Sequence, residues 1–255
     1  MNTKEIETYL ENTPYEKLHA ACLEFSSDER ASVKKLVEKY ERKLTAYKKE
    51  LERLDRLMLY ERKYGDLGII CGIDEAGRGP LAGPVVAAAV ILPKDRPILY
   101  INDSKQLSEK KREELYDVIM REAVAVGVGM ASEKVIDDIN ILQATYRAMR
   151  EAVSRLSVKP DVSLNDAVTI PELSLRQVPI IKGDAKSASI GAASIIAKVT
   201  RDRLMKEYDR LYPEYGFAKH KGYGSKEHIE ALKLYGPCEI HRQSFIRGIL
   251  REEQT

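Results

Sequence analysis

The sequence predicts an α/β fold, a mixed β-sheet flanked by helices, preceded by a small helical extension. Three observations support this prediction. Apolar segments of strand length gather soon after residue 67, longer segments with helical periodicity alternate with the later strands, and the first quarter of the chain has no glycine. Strands alternating with helices are typical of α/β domains. We therefore expect residues 1–66 to form the extension and residues 67–255 the main domain, which ends in a C-terminal helical region.

The extension is dominated by one long helical pattern. Pro14 is its single proline, and Glu, Lys, Leu and Tyr are abundant. Between residues 28 and 64 apolar side chains recur at steps of three and four, which predicts one apolar helix face. Twelve Lys and Arg stand against six Asp and Glu between Arg30 and Lys63. The predicted helix is therefore basic as well as amphipathic.

The break into the main domain falls within the segment YGDLG (64–68), whose glycines end the helical pattern. Alternation, small residues and flanking turn signals predict strands at 69–74, 84–92, 123–132, 160–167 and 178–184. The helical periodicity predicts helices at 108–122, 135–156 (in two pieces), 187–212 and 225–235. The helix at 187–212 starts with small residues, which would let it lie close against a sheet.

Composition excludes several classes of protein. The net charge is only +2, so charge by itself does not indicate a nucleic-acid partner. Cys22, Cys71 and Cys238 are odd in number and far apart, which argues against a disulfide framework and a structural zinc site. The first residues are too polar for a signal peptide, and no apolar run approaches the ~20 residues of a membrane span. We expect a cytoplasmic protein with no membrane partner.

Carboxylates end three of the predicted strands. They are the adjacent Asp74 and Glu75, then Asp166, then Asp184. Functional groups of open α/β sheets gather at strand ends, and four carboxylates brought together would repel one another unless cations lay between them. Oxygen ligands suit Mg²⁺ or Mn²⁺, and a pair of such ions could activate a water molecule for phosphoryl displacement. The alternative is that each acid is a solvated turn residue, and periodicity leaves that open.

A glycine-rich turn, GRGPLAG, follows the first two acids. It matches neither a Walker loop nor a dinucleotide-binding fingerprint, because a strand follows it rather than a helix. Gly77 and Gly79 would let the backbone approach a ligand, and Arg78 could reach a phosphate. A tight hairpin explains the same residues equally well.

Two further polar segments could contact phosphates. The segment GFAKHKGYGSKEH (216–228) contains three Lys, two His and three Gly around Tyr223, whose ring could stack on a base or a sugar. The segment INDSKQLS (101–108) precedes a predicted helix N-terminus, which is a natural phosphate position. Standing alone, the first segment is equally typical of a solvated loop.

Five segments in this order resemble bacterial type 2 ribonuclease H, the ribonuclease HII family. They are GIDEAGRGPLAGPVVAAAVIL, NDSKQLS, IKGDAKSASIGAASIIAKVTRDRLM, YGFAKHKGYGSKEH and HRQSF. The resemblance covers about residues 68–250. It implies a ribonuclease H-like fold, hydrolysis of the RNA strand of RNA/DNA hybrids, and incision 5′ of single ribonucleotides in duplex DNA. Two Mn²⁺ or Mg²⁺ ions would serve catalysis, leaving a 3′-hydroxyl and a 5′-phosphate.

The resemblance also assigns roles to residues. Asp74, Glu75, Asp166 and Asp184 correspond to the family's catalytic and metal-binding acids, with Asp161 as the fallback for Asp166. The backbone of the Gly-Arg-Gly turn would contact the ribose 2′-OH, the group that distinguishes RNA from DNA. Tyr223 would sense the RNA–DNA junction. The substrate-binding residues implied are Gly77, Arg78, Gly79, Asn102, Ser104, Lys105, Lys198 and Tyr223.

Two questions stay open at the level of sequence. The basic helix of the extension could lie along duplex phosphate or pack against the main domain. The rival to an endonuclease is a protein that binds RNA/DNA hybrids without cleaving them, which would not need all four acids. We expect a monomer whose partners are RNA/DNA hybrids and ribonucleotide-containing duplex DNA.

Overall fold

A computed structural model describes residues 1–251. By its contacts the chain forms two compact units, Met1–Arg56 and a second unit that begins at Leu57. This division falls ten residues before the predicted boundary at 66/67, which stays a prediction. Within the described residues, no helix has both the length and the apolar character to cross a membrane.

The first unit consists of helices, whose bounds are α1 (Thr3–Asn12), α2 (Tyr15–Glu24) and α3 (Ala31–Leu57). Asn2 and Glu5 form a capping box that satisfies the first backbone N–H groups of α1. Nine buried side chains from the three helices form the core: Ile6, Leu10, Leu18, Ala21, Cys22, Val33, Leu36, Tyr40 and Leu44. The sequence predicted no element for residues 1–27 and one helical pattern over residues 28–64, where the structure has α3 and a separate short helix after it.

The second unit is built on one five-stranded mixed sheet, as predicted. Its strands are β1 (Ile70–Ala76), β2 (Val85–Ile91), β3 (Ala125–Ala131), β4 (Val162–Asp166) and β5 (Arg176–Ile180). The order across the sheet is β3-β2-β1-β4-β5. β2 pairs antiparallel with β1 and β3, whereas β1, β4 and β5 run parallel. The C-terminal ends of three strands therefore meet at one edge.

The remaining helices lie around this sheet. Their bounds are α4 (Leu59–Tyr64), α5 (Glu109–Glu122), α6 (Glu133–Ser154), α7 (Ala188–Leu211), α8 (Phe217–His220), α9 (Lys226–Tyr235) and α10 (Gln243–Arg251). Asn140 interrupts α6 with a φ of 66°, which confirms the predicted two pieces. The sequence predicted a helical C-terminal region but no bounds for α10.

Helices α6 and α7 cover opposite faces of the sheet. On one face, Cys71 and Ile73 of β1 join the apolar core with α6. On the other face, Gly72 meets α7 so closely that a Cβ there would lie 2.1 Å from the Ser189 carbonyl carbon. The small residues at the start of α7 permit this approach, as the sequence predicted. Asp74 shares the Gly72 face, because side chains alternate along a strand.

Two predicted strand ends need correction. Asp74 and Glu75 lie inside β1, which continues to Ala76. Strand β5 ends at Ile180, so Asp184 belongs to a short 3₁₀ turn at Gly183–Ala185 rather than to a strand end. Lys182 enters that turn with a φ of 57°, a conformation that periodicity cannot reveal.

Candidate active site

The parallel strands bring the predicted acids to one edge of the sheet. Ile73 of β1 is in register with Asn165 of β4, so Asp74 and Asp166 come next on neighbouring strands. Asp166 is in turn paired with Ile180 of β5, and the chain reaches Asp184 within one turn. All four predicted acids therefore lie in one region.

The fallback residue Asp161 lies elsewhere. It precedes β4, and its Oδ2 accepts the backbone N–H of Ile69 at 2.8 Å. Asp161 and Asp166 thus stand at opposite ends of β4, and Asp166 is the one grouped with Asp74.

Burial and mutual repulsion dominate the electrostatics of this acid cluster, defined as Asp74, Glu75, Asp166 and Asp184. Asp74 is only 5% exposed, and burial, followed by the charge of Glu75, raises its pKa well above the ordinary value. Burial also raises the pKa of Glu75, against the lowering effect of Arg78, whose Nη1 lies 3.4 Å from Glu75 Oε1. The pKa of Asp184 is raised by burial and then by Asp103 and Asp166.

A few polar groups hold the acids in place. Glu75 donates its backbone N–H to Asp74 Oδ1 at 2.8 Å. Ser194 on α7 lowers the pKa of Asp74 against the effect of burial, and its Oγ lies 2.9 Å from the buried Ser104 Oγ. Gly183 donates its N–H to Asp166 Oδ1 at 2.7 Å. Ser104, which the sequence predicted to bind substrate, is 3% exposed in this structure, and its role stays a prediction. Ser194 was missed, because only the packing of α7 brings it to Asp74.

The two lysines predicted to bind substrate differ in exposure and in partner. Lys105 has an exposed side chain, and its Nζ lies 3.6 Å from Asp184 Oδ2. The charges of Asp184, Asp103, Asp74 and Asp166 outweigh desolvation and raise the pKa of Lys105. Lys198 instead pairs with Asp202 at 2.6 Å, and burial lowers its pKa.

Asn102 shares the segment of Lys105. Its Oδ1 accepts the N–H of Asp103 at 3.0 Å, and its Nδ2 lies 3.4 Å from Gln106 Oε1. Asp103 was not among the predicted site residues. Its charge raises the pKa of Asp184, and its Oδ1 accepts a hydrogen bond from the backbone N–H of Lys105 at 2.9 Å. This segment therefore contributes charge of both signs to the edge of the acid cluster.

Oxygen donors dominate the acid cluster, which bears on metal binding. Within residues 1–251, no three His, Cys, Asp or Glu side chains form a ready-made ligand group. The donor chemistry is nevertheless that of a hard divalent cation, because the cluster holds carboxylates only. Asp74, Glu75 and Asp184 all have raised pKa values, and a bound cation would remove the repulsion that contributes to this. The residues fit Mg²⁺ or Mn²⁺ by their chemistry.

The Gly-Arg-Gly turn follows the cluster directly. Gly77 has a φ of 93°, and a Cβ there would lie 2.0 Å from Nε of Arg201, so only glycine fits. A Cβ on Gly79 would meet only Cε1 of Tyr223, at 3.7 Å, an ordinary contact. Packing against Arg201 therefore requires glycine at position 77, whereas position 79 has room for a larger side chain.

Tyr223 lies beside this turn in a segment that is tethered rather than simply solvated. Leu81 donates its N–H to Gly222 O at 2.8 Å, and Nδ1 of His228 lies 2.8 Å from Tyr223 O. Nε2 of His228 lies 3.0 Å from Nε2 of His241, which links the segment to the chain before α10. The Tyr223 side chain itself is 47% exposed and available to a ligand.

Helix α7 is anchored on its N-terminal side by Glu61 of α4. Glu61 Oε1 accepts hydrogen bonds from Ser187 Oγ at 2.6 Å and from the N–H and Oγ of Ser189 at 2.9 and 2.7 Å. A carboxylate at a helix N-terminus stabilises the helix. Glu61 belongs by these contacts to the unit that carries the acids, although the sequence analysis assigned it to the extension.

Comparisons with known proteins identify relatives of this chain. A family profile described as Ribonuclease HII matches residues 71–248, and one described as Ribonuclease HII N-terminal domain matches residues 2–65. A ribonuclease HII of Lachnoclostridium phytofermentans is 64% identical over 225 residues, covering 88% of this chain and 89% of that protein.

Solved structures share the fold. The crystal structure of ribonuclease H2 from Pyrococcus horikoshii superposes with a TM-score of 0.61 at 28% identity, covering 74% of this chain and all of that one. A crystal structure of Bst-RNase HIII in complex with Mn²⁺ has a TM-score of 0.53 at 19% identity, covering 74% of this chain and 65% of that one. At that identity the second likeness is one of fold alone.

Proposed function

This chain belongs to the ribonuclease HII family of hydrolytic nucleases, and we propose that it cleaves the RNA strand of RNA/DNA hybrids and incises 5′ of single ribonucleotides in duplex DNA. Nucleic acid is the substrate class of the family. The finer statements, which are the position of the cut, the use of two metal ions and the residue roles, are our proposal.

One observation carries the proposal, namely that the acid cluster and the Gly-Arg-Gly turn are continuous. Glu75 and Arg78 are three residues apart and form an ion pair. The Tyr223 ring lies within van der Waals reach of a side chain placed at Gly79. The acids to which we assign hydrolysis and the turn to which we assign contact with the adjoining sugar thus lie side by side, and this arrangement supports a nuclease selective for ribose.

Asp74, Glu75, Asp166 and Asp184 would hold the metal. Two divalent cations bound there would supply Lewis-acid stabilisation of the phosphorane-like charge and lower the pKa of the attacking water. Hydrogen bonds keep two of the carboxylates in defined positions for metal binding, since the Glu75 N–H donates to Asp74 Oδ1 and the Gly183 N–H donates to Asp166 Oδ1.

The surrounding residues would bind and orient the duplex. Lys105 has an exposed ammonium next to Asp184, where it can contact a phosphate beside the scissile bond. The backbone of the Gly-Arg-Gly turn offers N–H groups to the 2′-OH. The ring of Tyr223 would lie against the next sugar and favour a deoxyribose, because an added hydroxyl there would crowd the ring.

The proposal is tested by incision of a labelled duplex that contains one ribonucleotide. We expect one cut 5′ of the ribonucleotide with Mn²⁺ or Mg²⁺, products bearing a 3′-hydroxyl and a 5′-phosphate, and no cut in EDTA. An all-DNA duplex of the same sequence is the substrate control, and Asp184→Asn is the enzyme control. Binding of the duplex without any cut in either metal would favour the rival, a hybrid-binding protein without catalysis.

A further inference from the structure

Two arginines of the second unit are buried beside the Gly-Arg-Gly turn. Arg201 of α7 is 1% exposed and Arg242, directly before α10, is fully buried. Neither forms an ion pair within residues 1–251, and desolvation lowers the pKa of Arg201 to about 10 and of Arg242 to about 9. Both remain cations near neutral pH. Burial of a charge without an opposite charge is expensive unless hydrogen bonds satisfy it.

Backbone carbonyl groups satisfy Arg242, and all of them belong to the turn. Its Nη2 donates to Gly77 O at 2.6 Å and to Gly83 O at 2.7 Å. Its Nη1 donates to Arg78 O at 2.8 Å, and its Nε donates to Gly83 O at 2.9 Å. One planar guanidinium thus holds three carbonyl groups of residues 77–83 at once.

Arg201 holds the other side of the turn and joins it to the Tyr223 segment. Its Nε donates to Pro84 O at 3.0 Å and its Nη2 to Ala82 O at 3.0 Å. Its Nη1 donates to Lys221 O at 2.9 Å, two residues before Tyr223. The side chain passes so close to residue 77 that only glycine fits there.

These contacts determine where the N–H groups of the turn point. In a trans peptide the C=O of one residue and the N–H of the next point in opposite directions, and the described chain has no cis peptide bond. The carbonyl groups of Gly77 and Arg78 point inward to Arg242, so the N–H groups of Arg78 and Gly79 point away from it. Within residues 1–251 neither N–H has a hydrogen-bond acceptor.

Other peptide groups held by the two arginines have internal partners. The N–H of Gly83 donates to Ile240 O at 2.8 Å, and the N–H of Gly222 donates to His220 Nδ1 at 3.2 Å. The contrast singles out the N–H groups of Arg78 and Gly79 as two adjacent, outward donors on a rigid support. Nothing inside the described protein uses them.

We propose that Arg201 and Arg242 are positioning residues, which hold the carbonyl groups of the turn inward so that the N–H groups of Arg78 and Gly79 face a hydroxyl of the substrate sugar. The inference rests on the proposed function and adds to it the groups that fix the turn. Lysine cannot replace either arginine, because a single ammonium lacks the planar set of donors that spans several carbonyl groups.

The test compares Arg242→Lys and Arg201→Lys with a matched control, Arg203→Lys. Arg203 is also on α7, but its partner is the Glu113 carboxylate at the surface. Single-turnover incision of the one-ribonucleotide duplex is measured with Mn²⁺, and duplex Kd is measured in EDTA. We expect Arg242→Lys to lose at least about tenfold in rate while its Kd stays within about threefold, and Arg201→Lys to lose less. Arg203→Lys should match the wild type.

A second readout separates positioning from general loss of structure. In the wild type, the ¹H–¹⁵N resonances of Arg78 and Gly79 should shift on binding the one-ribonucleotide duplex and not the all-DNA duplex. In Arg242→Lys this selective shift should disappear, whereas shifts elsewhere persist. If Arg242→Lys does not fold, Arg201→Lys and the wild-type spectra still decide.

If the wild type incises the duplex, the proposed function stands, and three outcomes would then overturn the inference about the arginines. The first is equal rates for Arg242→Lys and Arg203→Lys. The second is a rate loss fully accounted for by a lower folded fraction. The third is wild-type resonances of Arg78 and Gly79 that respond identically to both duplexes. Absence of incision by the wild type would instead contradict the proposed function.

Discussion

Two neighbouring regions of the second unit bury charge in opposite ways. In the acid cluster, burial and neighbouring charges raise the pKa values of Asp74, Glu75 and Asp184. Within the described residues only Arg78 and Lys105 form ion pairs with the cluster. The arginine-held turn buries two cations, yet seven hydrogen bonds to carbonyl groups satisfy them. The first region is electrostatically incomplete, and the second is complete in itself.

From this difference we expect the two regions to have different roles. Unbalanced carboxylates favour an external cation, and we expect the acid cluster to serve chemistry through such an ion. A turn whose carbonyl groups are held by hydrogen bonds keeps its shape. It presents the N–H groups of Arg78 and Gly79 to the outside in fixed positions. The predictions below test whether the acids serve chemistry and the turn serves recognition, from the largest expected effect to the smallest.

The largest effect should follow from Asp74→Asn. We expect single-turnover cleavage to fall at least about a hundredfold, which is about 3 kcal/mol of transition-state stabilisation. The free energy of unfolding without metal should stay equal or rise, because a buried, repelled charge is removed. Urea unfolding and cleavage with Mn²⁺ give the two numbers. A variant that keeps more than about a tenth of the wild-type rate would show that Asp74 is not a metal ligand.

The two glycines of the turn give a matched pair of variants. Gly77→Ala should destabilise the protein by about 2–4 kcal/mol, because its Cβ would collide with Arg201 and its φ is positive. Gly79→Ala should leave the midpoint of thermal unfolding within about 1 °C, and should lower incision at a single ribonucleotide at least about tenfold. The added methyl would stand where the substrate sugar approaches.

Thermal unfolding and single-turnover incision of both glycine variants check this contrast. Should Gly79→Ala incise at the wild-type rate, the sugar would not approach that face of the turn. A loss of stability in Gly79→Ala equal to that in Gly77→Ala would mean that both glycines serve packing.

Tyr223→Ala should have a moderate and selective effect. Loss of one stacking contact, about 1–3 kcal/mol, predicts about a tenfold lower rate on the one-ribonucleotide duplex and a smaller loss on an all-RNA hybrid. Tyr223→Phe keeps the ring and should stay within about threefold of the wild type. The measurement is single-turnover cleavage of the two duplexes by all three proteins, and equal rates for wild type and Tyr223→Ala on the first would remove the role given to this ring.

The histidine pair His228 and His241 should make the free energy of unfolding depend on pH. Burial, followed by the proximity of His228, lowers the pKa of His241 from 6.5 to about 4. A depressed pKa means that the unfolded chain binds more protons, so this stability is present above pH 6.5 and is lost as the pH falls towards 4. The loss amounts to about 3 kcal/mol for His241.

His241→Gln should flatten that pH dependence. The free energy of unfolding, measured by urea between pH 7.5 and 5, should fall less steeply for the variant than for the wild type. Identical slopes for the two proteins would show that His241 does not stay neutral in the folded state.

Local patterns predicted much of the sheet and of the acid cluster. Strand β2 is a continuous apolar segment and α7 starts with small residues, and both features are visible in a short window of sequence. Asp184 lies in the acid cluster, as expected. The strand predicted for it was wrong, because its turn depends on the left-handed backbone of Lys182. Helices α1 and α2 were missed, since each is only ten residues long and Pro14 separates them.

The residues that the sequence did not reveal contact partners that are far from them in the sequence. Arg242 contacts carbonyl groups more than 150 residues away, and a backbone carbonyl leaves no mark in the sequence. A weak signal did exist for Arg201, which occurs four residues before the buried Met205 and two after the buried Val199 on α7. An arginine on the buried face of a helix needs partners, and only the fold shows that they are the peptide groups of the turn.

The most direct measurement of the central claim is thermal unfolding of wild type and Asp184→Asn across a titration with Mn²⁺. A ligand that binds only the folded state raises its unfolding temperature. If the acid cluster is incomplete without a cation, the wild-type unfolding temperature should rise saturably with Mn²⁺, and the rise should be much smaller in Asp184→Asn. An unfolding temperature that Mn²⁺ leaves unchanged, or that rises equally in both proteins, would contradict the account.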